Sequence, residues 1–188
     1  MEQTDLQKLF LAFREQCIWL RICYNTYSEL YESGERVQKL MESSAPLFFH
    51  DLNNILIEYI MLHVCKITDP AETRGRANLT LLAVNESLNN EGLTTGEISQ
   101  FSQAMLDYRE LVKDARNRLI SHFDRDTILN GLTLGEHPRE DAEKFFECLQ
   151  GYIDAVGNAV GVGPLDFRTM AGPGDVLDLI KLLRDRVT

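Results

Sequence analysis

Several features are scarce in this sequence of 188 residues, and each scarcity excludes a class of protein. It contains 5 prolines and 12 glycines, too few for a long disordered or low-complexity segment. The 4 cysteines form no Cys-x-x-Cys pair. Three of them, Cys17, Cys23 and Cys65, stand among apolar residues, which is typical of buried free thiols. The composition is therefore that of an ordinary globular domain with a core of its own.

Positive charge and long apolar runs are also scarce. Lys and Arg number 19 against 29 Asp and Glu, and the formal net charge of −10 opposes non-specific binding to nucleic acids. The most apolar run, from Ile55 to Ile67, is too short and too often interrupted by polar residues to span a bilayer. The first five residues are polar and acidic, unlike a signal peptide, so we expect a cytoplasmic protein with no membrane segment.

Helical periodicity dominates the first half of the chain. Between Thr4 and Gly34, apolar residues recur at alternating steps of four and three, which predicts one long helix with Thr4 as its N-cap. The segment from Pro46 to about Ile67 is apolar nearly all round, so we expect a buried helix. Such a helix lies either at the centre of a bundle or between the core and a subunit interface.

Two more long helices are predicted in the second half. One starts at Thr94 or Thr95 and runs to about Ser121 or His122, and the other starts at Pro138. Short helices fill some of the connections, and no convincing strand is present. We therefore predict an all-α fold, an up-and-down bundle of four long helices plus short ones.

The connections carry their own signals. Residues 71–77 read as a polar loop, after which Asn78 can cap a short Leu-rich helix. The run Gly161-Val162-Gly163-Pro164 breaks the last long helix, and a further helix is predicted from about Pro173 to Val187. We expect residues 1–163 to form the bundle and residues 164–188 to form a helical appendage packed on the same domain.

The end of the third long helix gathers residues suited to phosphate chemistry. Arg116 is followed by Asn117, and five residues separate Arg116 from His122. A histidine can take or give a proton near neutral pH, and an arginine can hold two phosphate oxygens and stabilise developing charge. In a regular helix Arg116 and His122 lie about 120° apart, with His122 about 20° from the buried stripe centred on Ala115. They act together only if the helix distorts near Ser121 or a second copy of the motif faces the first.

Two other features precede this motif in the chain. They are the Thr68-Asp69-Pro70 turn and the segment Asn78-Leu79-Thr80-Leu81-Leu82. From about Leu9 to Tyr152 the chain resembles the abortive-infection (AbiU-type) branch of the HEPN superfamily, and the last ~25–35 residues fall outside the resemblance. The resemblance implies a HEPN-like bundle with a metal-independent endoribonuclease site at a homodimer interface. It implies a toxin or phage-defence effector of the toxin–antitoxin kind, with an antitoxin or regulatory partner.

The resemblance also assigns roles to residues. Arg116, Asn117 and His122 are the implied catalytic residues, with Asn117 positioning the phosphate or orienting His122. Lys113, Arg118 and Arg125 are candidates for local contacts with RNA, although a solvated charged face is the simpler interpretation of each.

Other interpretations of the motif remain open. Without a catalytic role, Arg116 and Arg118 would form surface ion pairs, for example with Asp114, and His122 would stabilise a helix C-terminus. The chain would then be a non-catalytic dimeric module that binds a partner, or an antitoxin-like protein, since acidic proteins can mask basic effectors. No metal-ligand set is visible in the sequence, so we expect neither a metal nor another cofactor.

The other three histidines have simpler interpretations. His63 lies on an apolar stripe and is expected to be a core histidine. His137 precedes Pro138 in a loop, where we expect a structural role or none. His50 either borders a groove or is exposed to solvent.

Overall fold

The computed structural model describes residues 3–169 and 172–187, and within them the chain forms a helical bundle. The helices are α1 (Asp5–Tyr31), α2 (Glu35–Ser44), α3 (Pro46–Thr68), α4 (Leu81–Asn90), α5 (Gly96–Ala115), α6 (Arg125–Leu129), α7 (Arg139–Ala159) and α8 (Val176–Val187). A π-helical turn, called the π-turn below, spans Arg116–Ile120, and two short strands are β1 (Glu72–Thr73) and β2 (Arg76–Ala77). The predicted all-α bundle of four long helices, α1, α3, α5 and α7, is confirmed.

Local side chains set where the long helices begin. Thr4 Oγ1 accepts a hydrogen bond from the Gln7 backbone N–H at 3.1 Å, and Gln7 Oε1 accepts one from the Thr4 N–H at 3.0 Å. This capping box satisfies two donors that α1 leaves unpaired. Thr95 Oγ1 accepts from the Ile98 N–H at 3.2 Å and caps α5 in the same way. Both caps are among those predicted from the sequence.

The main core lies between α1, α3, α4, α5 and α7. Aromatic pairs join α1 to α7: Tyr24 stacks on Phe146 with ring centroids 4.0 Å apart, and Phe13 meets Tyr152 edge-on at 6.2 Å. Cys17 and Cys65 are fully buried and Cys23 nearly so, and all are free thiols, as predicted. α5 packs along both α7 and α3, so the end of α5 is positioned by the core.

A second, smaller core joins α8 to the bundle. Ile180 of α8 is buried in a cluster that contains Leu30, Val37, Leu40 and Phe49. α8 packs mainly against α2 and also against α1. The C-terminal segment thus has apolar contacts with the helices that precede it.

In the single chain, the expected burial of α3 is met only in part. Burial is confined to Phe49 and to residues 63–65, 67 and 68 near its C-terminus. Five apolar residues at steps of four and three, called the α3 stripe below, stay wholly or partly exposed: Phe48, Leu52, Ile55, Tyr59 and Leu62. A helix that is apolar nearly all round has more apolar surface than the core of one chain covers, and here that surplus is the α3 stripe.

The connection after α3 also differs from the prediction. Residues 72–77 form a hairpin, in which Glu72 pairs with Ala77 and Thr73 with Arg76, rather than an irregular loop. Arg74 and Gly75 both have positive φ, 52° and 75°, as tight hairpin turns require. Strands of two residues are too short to show alternation in the sequence, which is why the pattern did not reveal them.

Thr80, not Asn78, caps α4. Thr80 Oγ1 accepts from the Ala83 N–H at 3.3 Å. Asn78 Nδ2 instead donates to the Pro70 carbonyl at 2.8 Å and to Thr73 Oγ1 at 2.9 Å. Asn78 therefore closes the hairpin and holds it against the end of α3.

Candidate active site

The element that carries the Arg-Asn…His motif is not a regular helix. The Ser121 N–H donates to the Arg116 carbonyl at 2.8 Å, an i→i+5 bond that widens the last turn. The helical chain ends at Ile120, and His122 lies in the bend that follows with its side chain exposed. The helix therefore distorts near Ser121, one of the two arrangements considered above. The placement of His122 near the buried stripe, which assumed a regular helix, is wrong.

Arg116 is held against the end of α3. Its Nη2 donates to Asp69 Oδ2 at 3.1 Å, and its Nη1 donates to Asn117 Oδ1 at 2.8 Å. The side chain is 29% exposed, and its buried Nε has no hydrogen-bond partner among the residues that the structure describes. Asn117 thus contacts Arg116 and not His122. The non-catalytic interpretation gave Asp114 as an example of an acidic partner for Arg116 and Arg118; the acids that pair with them are instead Asp69 and Asp124.

Asp69 bridges two arginines. Its Oδ1 accepts from Arg109 Nη2 at 3.0 Å, while its Oδ2 accepts from Arg116. Arg109 and Arg116 are two helical turns apart, so they share one side of α5. Burial disfavours the charged form of Arg109, but the hydrogen bond and the charge of Asp69 outweigh it and raise the pKa of Arg109 above its ordinary value. We call Asp69, Arg109 and Arg116 the clamp.

The clamp contains two residues, Asp69 and Arg109, that were not predicted as part of the site. Two signals in the sequence point to them. Arg109 precedes Arg116 by seven residues, the spacing of neighbours on one helical face, and Asp69 stands in the Thr-Asp-Pro turn that ends the apolar helix. Neither signal shows that the two helices bring Asp69 within reach of both guanidinium groups.

The family of the chain follows from a comparison over nearly its whole length. A family model described as AbiU2, of the HEPN AbiU2 family, matches residues 3–182. The chain belongs to this HEPN family. No curated protein and no solved structure matches it. The match also includes most of residues 164–188, so the expectation that this segment falls outside the resemblance is wrong.

The three candidate RNA contacts of this HEPN chain all lie beside acids. Lys113 Nζ is 2.8 Å from Glu110 Oε2, and Arg118 Nη2 is 3.2 Å from Asp124 Oδ1. Arg125 Nε lies 3.9 Å from Asp126, and its side chain is 87% exposed. Of the three, Arg125 is therefore the most accessible to a polyanion.

Asp124 anchors the segment that follows His122. Its Oδ1 accepts from both the hydroxyl and the backbone N–H of Thr127, at 2.6 and 2.9 Å, and so caps α6. These two hydrogen bonds, followed by the one from Arg118, lower the pKa of Asp124 to about 2. His122 thus lies between two fixed points, the π-turn and the cap of α6.

Of the remaining histidines of the HEPN domain, His63 and His137 form hydrogen bonds within the fold and His50 lies on the surface. His63 is buried with Nδ1 3.2 Å from the Tyr59 hydroxyl, and burial lowers its pKa, so the prediction of a core histidine is confirmed. His137 Nδ1 donates to the Gly135 carbonyl at 2.7 Å, while its Nε2 accepts from the Tyr108 hydroxyl at 2.6 Å. His50 is exposed and borders a groove between α1, α2 and α3.

Two negative findings concern the described residues alone. Within residues 3–169 and 172–187, no group of three His, Cys, Asp or Glu side chains is placed to hold a metal ion. In the same part of the chain, no helix is both long enough and apolar enough to cross a membrane.

Proposed function

We propose that this HEPN chain is a metal-independent endoribonuclease, a toxin or phage-defence effector, that uses Arg116, Asn117 and His122. The observation that supports it most is the geometry at the end of α5. A guanidinium held at a fixed place and an exposed imidazole stand six residues apart around a distorted turn. Such a pair can bind a phosphodiester and move a proton beside it.

Arg116 keeps donors free for a phosphate. A guanidinium has five N–H donors in a planar fork. Among the described residues, Arg116 forms one hydrogen bond through Nη1 and one through Nη2. One N–H on each Nη atom therefore remains to bind two phosphate oxygens and to stabilise their charge in the transition state.

His122 supplies the proton transfer in the proposed reaction. The 2′-hydroxyl of RNA loses its proton to an imidazole, its oxygen bonds to the adjacent phosphorus, and the bond from phosphorus to the 5′-oxygen breaks. The leaving 5′-oxygen takes up a proton, from the same imidazole or from that of a second copy. The products are a 2′,3′-cyclic phosphate and a 5′-hydroxyl, and the RNA itself provides the nucleophile.

We also propose that two copies of the chain assemble through the α3 stripe. Phe48 and Ile55 are 59% and 61% exposed, and the stripe repeats at the spacing of paired helices. Trp19, itself 49% exposed, extends this surface because its Nε1 donates to the Tyr59 hydroxyl at 2.7 Å. The π-turn packs against α3, so the proposed interface and the motif share one helix.

The alternative, a non-catalytic dimeric module that binds a partner, is favoured by charge. The net charge is −10, and Lys113, Arg118 and Arg125 all stand beside carboxylates. An acidic surface repels RNA except at local positive sites. The two proposals differ in a measurable way, because only the first requires His122.

The experiment is cleavage of a mixed RNA pool by purified protein in EDTA. The variants are the Arg116→Ala/His122→Ala double mutant and, as a matched control, His50→Ala, which removes another exposed histidine. We expect the parent and the control to cleave and the double mutant not to. Equal cleavage by all three proteins would contradict the proposal, and cleavage by none would favour the binding module.

A further inference from the structure

We propose that Asp69 is a positioning residue for Arg116, acting through the clamp. Its carboxylate would hold the Arg116 guanidinium in the orientation that receives the RNA phosphate. The inference rests on the proposed ribonuclease function of the same site. It assigns a role to a residue that lies 47 positions before Arg116 in the chain.

The position of Asp69 is set by the backbone. It is the C-cap of α3, with φ −65° and ψ 163°, and Pro70 restricts its backbone to the extended region. The preceding Thr68 is buried and its hydroxyl donates to the Val64 carbonyl at 2.6 Å. Asp69 therefore projects from the rigid end of a long helix, and its carboxylate gives Arg116 a fixed reference point.

The guanidinium of Arg116 is held at both ends of its fork. Asp69 accepts from Nη2, and Asn117 accepts from Nη1. With two acceptors on different nitrogens, the planar group cannot rotate without losing at least one hydrogen bond. The Nε is buried as well, so the inner end of the guanidinium is shielded from solvent. A preorganised donor of this kind stabilises transition-state charge without reorganising during the reaction.

Because Arg109 also donates to Asp69, the carboxylate of Asp69 bridges two arginines and does not pair with Arg116 alone. Two guanidinium groups close to one another repel, and the shared carboxylate between them offsets that repulsion. In both Arg109 and Arg116 the Nε is buried, and no acceptor within residues 3–169 and 172–187 binds it.

The first test is steady-state cleavage by Asp69→Asn. The amide keeps the size of the side chain but has no charge and only one acceptor oxygen. It can no longer offer a separate oxygen to each of Arg109 and Arg116, so the hold on Arg116 weakens. Because misplaced transition-state contacts affect the chemical step, we expect kcat to fall on the order of 10–100-fold while KM changes little. Asp166→Asn is the matched control, since Asp166 pairs with Arg168 at 2.7 Å on another surface, and it should leave kcat unchanged.

A double-mutant comparison separates positioning from a general structural role. If Asp69 acts through Arg116, Asp69→Asn should have no further effect on kcat in an Arg116→Lys background. An independent loss of kcat in that background would overturn the inference. Should Asp69→Asn fail to fold, Asp69→Glu takes its place, because it keeps the charge and moves the carboxylate by one methylene.

A second readout does not depend on activity. The buried Nε–H of Arg116 should exchange slowly with solvent in NMR spectra of the parent and be identifiable by its absence in Arg116→Lys. We expect faster exchange in the Asp69 variant. Slow exchange that depends on Asp69 in a parent that cleaves no RNA would support the clamp while refuting the ribonuclease. Unchanged exchange and unchanged kcat in the variant would overturn the inference.

Discussion

At the scale of single residues, the candidate site depends on contacts between distant parts of the chain. Arg116 alone is a residue type that binds phosphate, but Asp69, at the end of another long helix, holds it in place. His122, by contrast, has an exposed side chain that can be reached from solvent. A substitution at Asp69 is therefore expected to affect both packing and chemistry, and one at His122 only chemistry.

Gly135 is a residue whose replacement should disturb the support of the motif. It has φ +79°, and a Cβ built there would lie 2.8 Å from the Ala115 Cβ, next to Arg116. Gly135→Ala therefore combines an unfavourable left-handed backbone with a steric clash, and should lower the free energy of unfolding by about 2–4 kcal/mol. Urea unfolding followed by circular dichroism measures this.

Gly92→Ala is the control for the backbone contribution. Gly92 has φ +68°, yet nothing lies within 4 Å of an added Cβ. Its replacement should cost only about 1–2 kcal/mol. Equal losses in the two variants would show that the close approach of Gly135 to α5 does not matter for stability.

The roles of single residues were predictable from the sequence, but most of the residues that they contact were not. The motif, the buried thiols and the core role of His63 follow from local pattern. The partner of Arg116 does not, because an ion pair between Asp69 and Arg116 exists only once α3 and α5 have packed. The same holds for the contact of Asn117 with Arg116, which depends on how the last helical turn is wound.

At the scale of elements, the decisive feature is the π-turn. It places one wide turn between the regular part of α5 and the bend that carries His122. Wide turns of this kind are rare and often occur at functional sites. The cap of α6 then fixes the chain on the far side of His122 through Asp124 and Thr127.

The cap of α6 makes a pH-dependent prediction. The pKa of Asp124 falls from an ordinary 3.8 to about 2 in the folded chain. Because the folded value is depressed, its contribution to stability is fully present above about pH 4 and is lost as the pH falls through about 2. Chemical shifts of the Asp124 carboxyl carbon, recorded by NMR from pH 6 to pH 1.5, should give a midpoint near 2.

Thr127→Val serves as the comparison for this titration. Valine removes the hydroxyl that donates to Asp124 Oδ1 at 2.6 Å but keeps the backbone N–H donor. The midpoint should therefore rise towards the ordinary value. A midpoint near 3.8 in the parent, or no change in the variant, would contradict the assigned hydrogen bonds.

The starts of the long helices α1, α3 and α5 were predictable because their signals are local. Thr4, Pro46 and Thr95 stand at or beside the first residue of a periodic segment. The hairpin after α3 and the π-turn were not predicted, since strands of two residues and a widened turn leave no periodicity to read. The exposure of α3 was also missed, because apolar periodicity does not distinguish a core from an interface.

At the scale of the whole molecule, the α3 stripe and the net charge of −10 both affect how the protein could bind RNA. A negative molecule binds RNA weakly unless positive groups are concentrated at one place. A dimer joined through α3 would carry two copies of the positively charged side chains in and around the motif. The proposed dimer would then contribute to RNA binding as well as to catalysis.

The dimer proposal predicts the effect of one charge on the α3 stripe. Ile55→Asp places a carboxylate on an exposed apolar position and should convert a dimeric parent into a monomer that no longer cleaves RNA. Leu182→Asp, at an exposed leucine on α8, is the control and should stay dimeric. Analytical ultracentrifugation distinguishes the states, and a dimeric Ile55→Asp protein would contradict the proposed interface.

The reaction chemistry is tested most directly by comparing two RNA pools of the same sequences, one with free 2′-hydroxyls and one with 2′-O-methyl groups throughout. Purified parent protein is incubated with each pool in EDTA, and the new ends are identified by mass spectrometry. We expect 2′,3′-cyclic phosphate ends from the unmodified RNA and no cleavage of the methylated RNA, since the 2′-oxygen is the proposed nucleophile. Cleavage of both pools, or of neither, would contradict it.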